Sequence, residues 1–270
     1  MKILFIGAGN MGQAIIGGIC GKVFAKSDID IYEISEATRQ NVVSRFGVGA
    51  VSDLSHIGEY DFILFALKPQ VFASFAAQNG ASIREQLHAD KTTIITIMAG
   101  VGIGRIRESF GNIPTVRVMP NTPALVGESM SVLCGSDGID DSRMAKAVEI
   151  FGSIGKTAVM AESYLDAVTG LSGSGPAYIY LIIEALTSGG VWAGLPKPIA
   201  QQLAVQTVKG TVAMIEQNPD KAIEDLRHAV TSPGGTTIAG LAAMERHGVR
   251  NALMEAVKDA ADRSAELGKR

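Results

Sequence analysis

Short apolar runs and helix-periodic segments alternate through the first part of the chain. Apolar runs at 2–6, 29–33, 62–67, 93–98 and 115–119 read as strands, with weaker ones at 129–134 and 156–160. Between them, segments 10–20, 36–46, 69–78, 102–110 and 141–152 carry the spacing of helices. Several of the runs are apolar along their whole length, as parallel strands covered on both faces require. Strand–helix alternation of this kind predicts an α/β fold with a doubly wound sheet.

Beyond residue 162 the strand pattern stops. Segments 163–170, 176–193, 196–217, 219–230, 236–247 and 249–267 all read as helices, punctuated by Pro176, Pro196, Pro219 and Gly248. The last has Val249, Leu253, Val257, Ala260, Ala261 and Ser264 on one stripe. Segment 176–193 is apolar nearly all round, which predicts a buried helix. Roughly a hundred residues of such helices form a thin unit with more apolar surface than it can bury alone. The pattern therefore divides the chain into an α/β domain, 1–161, and an all-helical domain, 162–270, that pairs with a second copy. No linker rich in Pro, Gly or Ser separates them.

Composition narrows the function. The 270 residues are 47% hydrophobic and 19% charged, with a net charge of −3. No basic run or stripe suggests a nucleic-acid surface. The longest apolar run, 177–183, stops at Glu184, too short for a bilayer. Cys20 and Cys134 lie far apart without metal-type spacing, which predicts reduced thiols in a cytoplasmic protein. The opening residues already belong to the first strand, so no signal peptide is expected.

Gly7-Ala-Gly-Asn-Met-Gly12 directly follows the first predicted strand and opens a helix. Alone, a Gly-x-Gly-x-x-Gly is weak evidence. Here it has a strand before it, a helix after it and an acid about twenty positions on, the context of a Rossmann-like dinucleotide site. Gly7 permits the tight turn, Gly9 lets a pyrophosphate approach, and Gly12 lets the helix pack on the strand. Ile6, Ala8, Asn10 and Met11 complete the turn. Glu33 ends the second strand, where an acid accepts from the adenosine ribose and repels a 2′-phosphate; it is otherwise a solvated strand-end carboxylate. The only nearby hydroxyl is Ser35, and Arg39 lies a turn into the next helix. The balance leans towards NADH over NADPH. Ala66-Leu67-Lys68-Pro69 and Met98-Ala99-Gly100 end the next strands, where ligands bind in doubly wound sheets. Lys68 either faces the cofactor or is an exposed turn lysine.

Near the C-terminus, Thr231-Ser-Pro-Gly-Gly-Thr-Thr237 interrupts one helix and feeds another. Unpaired N–H groups at a helix N-terminus favour an anion, so the loop is either a small-anion site or an ordinary capped joint.

Val116-Arg-Val-Met-Pro-Asn-Thr-Pro-Ala124, Leu171-Ser-Gly-Ser-Gly-Pro-Ala-Tyr178 and the 231–237 loop follow the glycine motif in this order. As a set they resemble the Δ1-pyrroline-5-carboxylate reductases over essentially the whole chain. The resemblance implies NAD(P)H-dependent reduction of 1-pyrroline-5-carboxylate to L-proline, the last step of proline biosynthesis. It also implies a dimer of interleaved helices, with dimers often gathered into rings. The substrate carboxylate would lie on the loop matching 232–237, between subunits. Segments matching 6–11 and 66–69 would hold the cofactor. Glu33 departs from the polar or basic residues many relatives carry there, which puts NADPH in doubt.

The chemistry is consistent with the residues present. A protonated imine is already electrophilic, so orientation alone lowers much of the barrier. Neither 172–178 nor 231–237 contains a dedicated acid. Ser232, Gly234, Gly235 and Thr236 are candidates to hold the carboxylate. Thr237 either hydrogen-bonds the ring nitrogen, with water as the ultimate proton source, or only caps its helix. Ser172 and Ser174 either contact nicotinamide or cap the helix at Pro176, and Ser172 is also a candidate substrate contact. Asn121, between Pro120 and Pro123, is expected to shape the interdomain hinge, with a direct cofactor contact as the lesser alternative. His228 reads as helix-end electrostatics, and no metal-ligand spacing exists. A β-hydroxyacid dehydrogenase would need a Lys-x-x-x-Asn pattern on the helix that here reads Pro-Ala-Tyr-Ile-Tyr-Leu-Ile-Ile-Glu-Ala. A non-catalytic dinucleotide sensor would carry a DNA-binding segment or basic patch, and none is present.

Overall fold

A computed structural model describes residues 1–268. One sheet of eight strands organises the first part: β1 (Ile3–Ile6), β2 (Ile29–Tyr32), β3 (Gly49–Ala50), β4 (Phe62–Phe65), β5 (Thr93–Thr96), β6 (Thr115–Met119), β7 (Ser129–Gly135) and β8 (Gly155–Val159). Their order is β3-β2-β1-β4-β5-β6-β7-β8. All neighbours are parallel except β6 and β7, so the predicted doubly wound sheet carries a reversed edge. The chain winds one way from β1 to β3 and the other from β4 onward. That reversal, between β1 and β4, opens the ligand crevice of such sheets.

Strands β1, β4 and β5 are buried at every position, as their unbroken apolar runs require. On one face they meet α1 (Asn10–Ile19), α2 (Glu36–Phe46) and α5 (Asp141–Gly152), through residues such as Ile15, Ile16, Val42 and Phe151. On the other they meet α3 (Pro69–Gln86) and α4 (Ile103–Phe110), where Phe65 stacks on Phe110 at 5.0 Å between ring centroids.

Element limits differ from expectation where the chain serves the crevice. Glu33, Ala66–Leu67 and Ile97–Met98 fall just past the strand ends, where the last cross-strand bonds run from the Ala66 N–H to Ile6 and from the Ile97 N–H to Phe65. Helix α3 continues to Gln86, beyond the predicted end at 78. Gly80 is the reason the packing holds: a Cβ there would lie 3.2 Å from the Ser109 carbonyl. Strand β3, only two residues long, left no periodic signal.

The chain forms two compact units, residues 1–174 with 259–270, and Gly175–Lys258. In the first, 163–170 is no single helix. A 3₁₀ turn leads into α6 (Leu165–Val168) and then a π-type turn, Thr169–Gly173. The end of α11 (Val249–Gly268) belongs to this unit, where the buried Ser264 hydroxyl donates to Asp166 at 2.7 Å.

The second unit contains α7 (Gly175–Trp192), α8 (Lys197–Glu216), α9 (Ile223–Ala229), α10 (Thr236–Arg246) and the start of α11. Helices α7 and α8 cross closely at Gly190, where a Cβ would lie 3.0 Å from that of Ala200. Helix α9 starts at Ile223 instead of 219, because Pro219 and Asp220 form a turn closed by the Lys221 N–H on the Asn218 carbonyl. The burial expected for segment 176–193 is not reached within one chain. Thr187 is its sole buried residue, and Trp192 is 93% exposed. The cause is stoichiometric: α8 covers one side of α7, and the remaining apolar sides need surface from elsewhere.

Candidate functional site

The Gly7–Gly12 turn is built from three glycines with different physical tasks. Gly7 has φ +91°, and a Cβ there would lie 2.9 Å from the Ala66 carbonyl. At Gly12, a Cβ would sit 3.0 Å from the Gly7 carbonyl, so the helix seats closely on the strand. Gly9 differs from both, since a Cβ would meet nothing within 4 Å. Gly9 is also the N-cap of α1, without a side-chain cap. The first-turn N–H groups of α1 thus face open space from a backbone that a ligand can approach.

That space is a cleft of about 610 Å³ at the carboxyl ends of β1, β4, β5 and β6. Gly9, Asn10, Met11, Ala66, Leu67, Lys68, Pro69 and Ala99, all singled out in the sequence, line it together. Ile6 and Gly7 lie behind this lining: the Ile6 side chain is buried, its carbonyl accepts from Ala66, and the Gly7 N–H donates to Tyr32. Ala8, Gly12, Glu33, Ser35 and Gly100 also lie outside it. Gly100 (φ +73°) sits against the end of α11, where a Cβ would be 3.2 Å from that of Leu267.

Glu33 is placed by main-chain donors. One carboxylate oxygen accepts from the Ala8 N–H at 2.8 Å and the other from the Ser35 N–H at 2.9 Å. The carboxylate therefore joins the glycine turn to the start of α2, where Ser35 is the N-cap and accepts from the Thr38 N–H. Arg39 pairs with Glu36 and does not reach the Glu33 carboxylate.

Ile97, Met98, Met119, Pro120, Asn121, Thr122 and Gly173 complete the cleft. The sequence marked the end of β5, but past the end of β6 it offered only Asn121, as a hinge residue. The carboxyl-end rule applied to β6 would have found Met119 and Pro120. Asn121 is the pin of this wall. Its Oδ1 accepts from the Met130 N–H at 2.9 Å and the Ser129 hydroxyl at 3.2 Å, and its Nδ2 donates to the Ser172 carbonyl at 3.1 Å. Loop, strand and π-type turn are thereby tied together. The Ser172 hydroxyl donates to the Val168 carbonyl at 3.1 Å, so it does not cap α7.

The second hydroxyl-rich loop lies in the second unit, before α10. Gly234 makes the turn with φ +71°, and the Gly235 N–H donates to the Ser232 carbonyl at 3.1 Å. A Cβ on Gly235 would collide with the Ser232 hydroxyl at 2.5 Å. Gly235 is the N-cap of α10 and, having no side chain, makes no cap bond. The first bond of the helix runs from Ala239 to Gly235, leaving the N–H groups of Thr236 and Thr237 ahead of the ladder. Ser232, Thr236 and Thr237 are exposed. Among the described residues no group of three His, Cys, Asp or Glu side chains could hold a metal ion, and no helix is long and apolar enough to cross a membrane.

Residues 162–267 match the family model for pyrroline-5-carboxylate reductase dimerisation, and residues 2–100 that for coenzyme F420-dependent NADP oxidoreductases. The pyrroline-5-carboxylate reductase of Synechocystis sp. is 41% identical, the match spanning 100% of this chain and 99% of that protein. That of Arabidopsis thaliana is also 41% identical, over 98% of this chain and 95% of that protein. Among solved structures, Coxiella burnetii pyrroline-5-carboxylate reductase superposes with a TM-score of 0.89 at 30% identity, covering 100% of this chain and 99% of that one. Plasmodium falciparum pyrroline carboxylate reductase with NADP bound gives 0.86 at 31%, covering 99% and 98%. Likeness at this level, along the entire length, shows that the chain belongs to the pyrroline-5-carboxylate reductase family.

Proposed function

We propose that the protein reduces 1-pyrroline-5-carboxylate to L-proline with NADH or NADPH. The observation that carries the cofactor half is the uncapped start of α1, where Gly9 opens onto the cleft. The cleft fits a dinucleotide because it offers free N–H donors for a pyrophosphate and a wall of small residues, Ala66 and Ala99, for a flat ring. The nicotinamide supplies the hydride. Asn10 and Met11 would hold the pyrophosphate, and Ala66 to Pro69 with Ala99 would hold the nicotinamide end. Glu33 and Ser35 would receive the adenosine ribose. The negative charge of Glu33 favours NADH, although the Plasmodium relative is seen with NADP.

The imine carbon takes the hydride and the ring nitrogen a proton. Ser232 and the main-chain donors of Gly234 and Thr236 would hold the substrate carboxylate, with Gly235 fixing the turn through its bond to Ser232. Thr237, in the first turn of α10 behind a glycine N-cap, would hydrogen-bond the ring nitrogen, with water as the source of the proton. Ser172 is the remaining substrate-side candidate, through its main chain, since its hydroxyl is taken.

The working species is a homodimer, which larger rings of dimers would extend. The dimerisation family model and the open sides of α7 support this. The functional boundary would fall at 161/162, which the start of that family match supports, although residues 162–174 pack with the sheet. Two unpaired cysteines support a cytoplasmic location.

The test is direct: purified protein is mixed with pyrroline-5-carboxylate and either cofactor, and nicotinamide absorbance and proline are followed. Proline is expected; its absence with both cofactors overturns the proposal. Thr237→Val should lower kcat about a hundredfold to a thousandfold while Thr237→Ser retains activity, as loss of one positioned donor predicts.

A further inference from the structure

Glu162 does not line the cleft, yet it supports two of its walls. Its Oε1 accepts from the Ile103 N–H at 2.8 Å and from Arg117 Nη1 at 3.1 Å. Ile103 is the first residue of α4, whose N-cap is Gly102 and has no side chain of its own to offer. A carboxylate from 59 residues further along the chain therefore caps this helix, where its charge also meets the positive end of the helix dipole. Arg117 lies in β6, two residues before Met119, and its side chain is 10% exposed. Both bonds are charge-assisted; the Arg117 side of the pair is shielded from water, while the Glu162 side chain is 37% exposed.

The segment between β5 and α4 contributes Ile97, Met98 and Ala99 to the cleft. Within it the Val101 N–H donates to the Met98 carbonyl and Gly100 rests against the end of α11, while Gly102 has no side chain with which to fix the start of α4. One end is held by β5; the other is held by Glu162 at Ile103. The same carboxylate anchors β6, which delivers Met119 and Pro120 to the facing wall. Behind the pair, Cys134 sits across from Arg117 in the sheet register. Burial first, and then the Glu162 charge, push its thiol up to about 11.

We propose that Glu162 is a positioning residue for cofactor binding, setting the spacing of the β5–α4 turn and β6 at the nicotinamide end of the cleft. This rests on the assignment of the cleft to the cofactor. Without the carboxylate, the competent arrangement of the turn is one among several, and the apparent affinity falls by the fraction of time it is formed.

The experiment measures cofactor affinity by NAD(P)H fluorescence without substrate, together with both KM values, in the full-length protein. Glu162→Ala is expected to weaken cofactor binding about tenfold, raise the cofactor KM in parallel and leave the pyrroline-5-carboxylate KM unchanged. Glu162→Gln retains an acceptor for the Ile103 N–H and should lie between, about threefold weaker than the wild type. Wild-type affinity in Glu162→Ala, whether or not its Tm falls, shows a purely structural residue and overturns the proposal. If Glu162→Ala does not fold, Glu162→Gln decides, and wild-type binding in that variant overturns it. A wild-type protein that binds neither cofactor defeats the assignment of the cleft itself, which is a separate result.

Discussion

The backbone N–H of Ala8 donates to the Glu33 carboxylate at 2.8 Å, across the gap between the glycine turn and the end of β2. Because Ser35 donates to its other oxygen, the carboxylate is fixed and its charge is held at one place. A cofactor phosphate arriving there would meet a like charge and find its donors taken. Glu33→Ser removes the charge and frees the N–H groups of Ala8 and Ser35. The kcat/KM ratio for NADPH over NADH should rise roughly tenfold or more, as removal of a like-charge contact predicts. Glu33→Gln isolates the charge and should move the ratio the same way. An unchanged ratio in both variants would show that Glu33 does not discriminate.

Two glycines of one turn should fail differently. Gly9 has φ −67° and open space before it, so Gly9→Ala should fold with an unaltered Tm. Its methyl group would project towards the pyrophosphate, and cofactor binding should weaken about tenfold or more. Gly7→Ala must adopt φ +91° and press on the Ala66 carbonyl, which should destabilise the fold by about 1–3 kcal/mol or more. Thermal melts with cofactor titrations on both variants separate the two roles.

Asn121 is expected to matter to stability and binding together. Asn121→Ala leaves the Met130 N–H and the Ser172 carbonyl without their partner, at about 1–3 kcal/mol for each group that stays buried and unpaired. Asn121→Asp retains the acceptor for Met130 but turns an oxygen towards the Ser172 carbonyl, so it should not rescue. Both should raise the cofactor KM, since Asn121 and Gly173 line the cleft. Denaturant melts and initial rates would show it; full rescue by Asp would contradict the role of Nδ2.

For the helical unit, Leu181→Glu should shift the protein from dimer to monomer in sedimentation measurements. Leu181 is 65% exposed on α7 in the single chain, so a charge there does no harm to one chain but meets apolar surface in a pair. A Leu181→Glu variant that stays dimeric would place the contact elsewhere.

Much of this was legible because it is local. Wholly apolar runs lead to strands covered on both faces, as β1, β4 and β5 confirm. The glycine spacing is equally local, since turn, approach and packing are settled within six residues. The α3 extension was hidden because Gly80 reads as a helix breaker until Ser109 is seen beside it. The all-round apolar pattern of α7 was read as burial. It states only that water is disfavoured, and one chain lacks the surface to meet that demand.

By itself, the order of residues determined the α/β half, the helical half, the glycine turn and the hydroxyl-rich loop before α10, because each follows from periodicity or from the conformational limits of Gly and Pro. Tertiary structure alone decided which donors hold Glu33, that Asn121 grips Ser172, and that Glu162 caps α4. These partners stand 25, 51 and 59 residues apart. No local preference encodes such pairs; they meet because the winding of the sheet brings the ends of β1, β2, β5 and β6 to one edge.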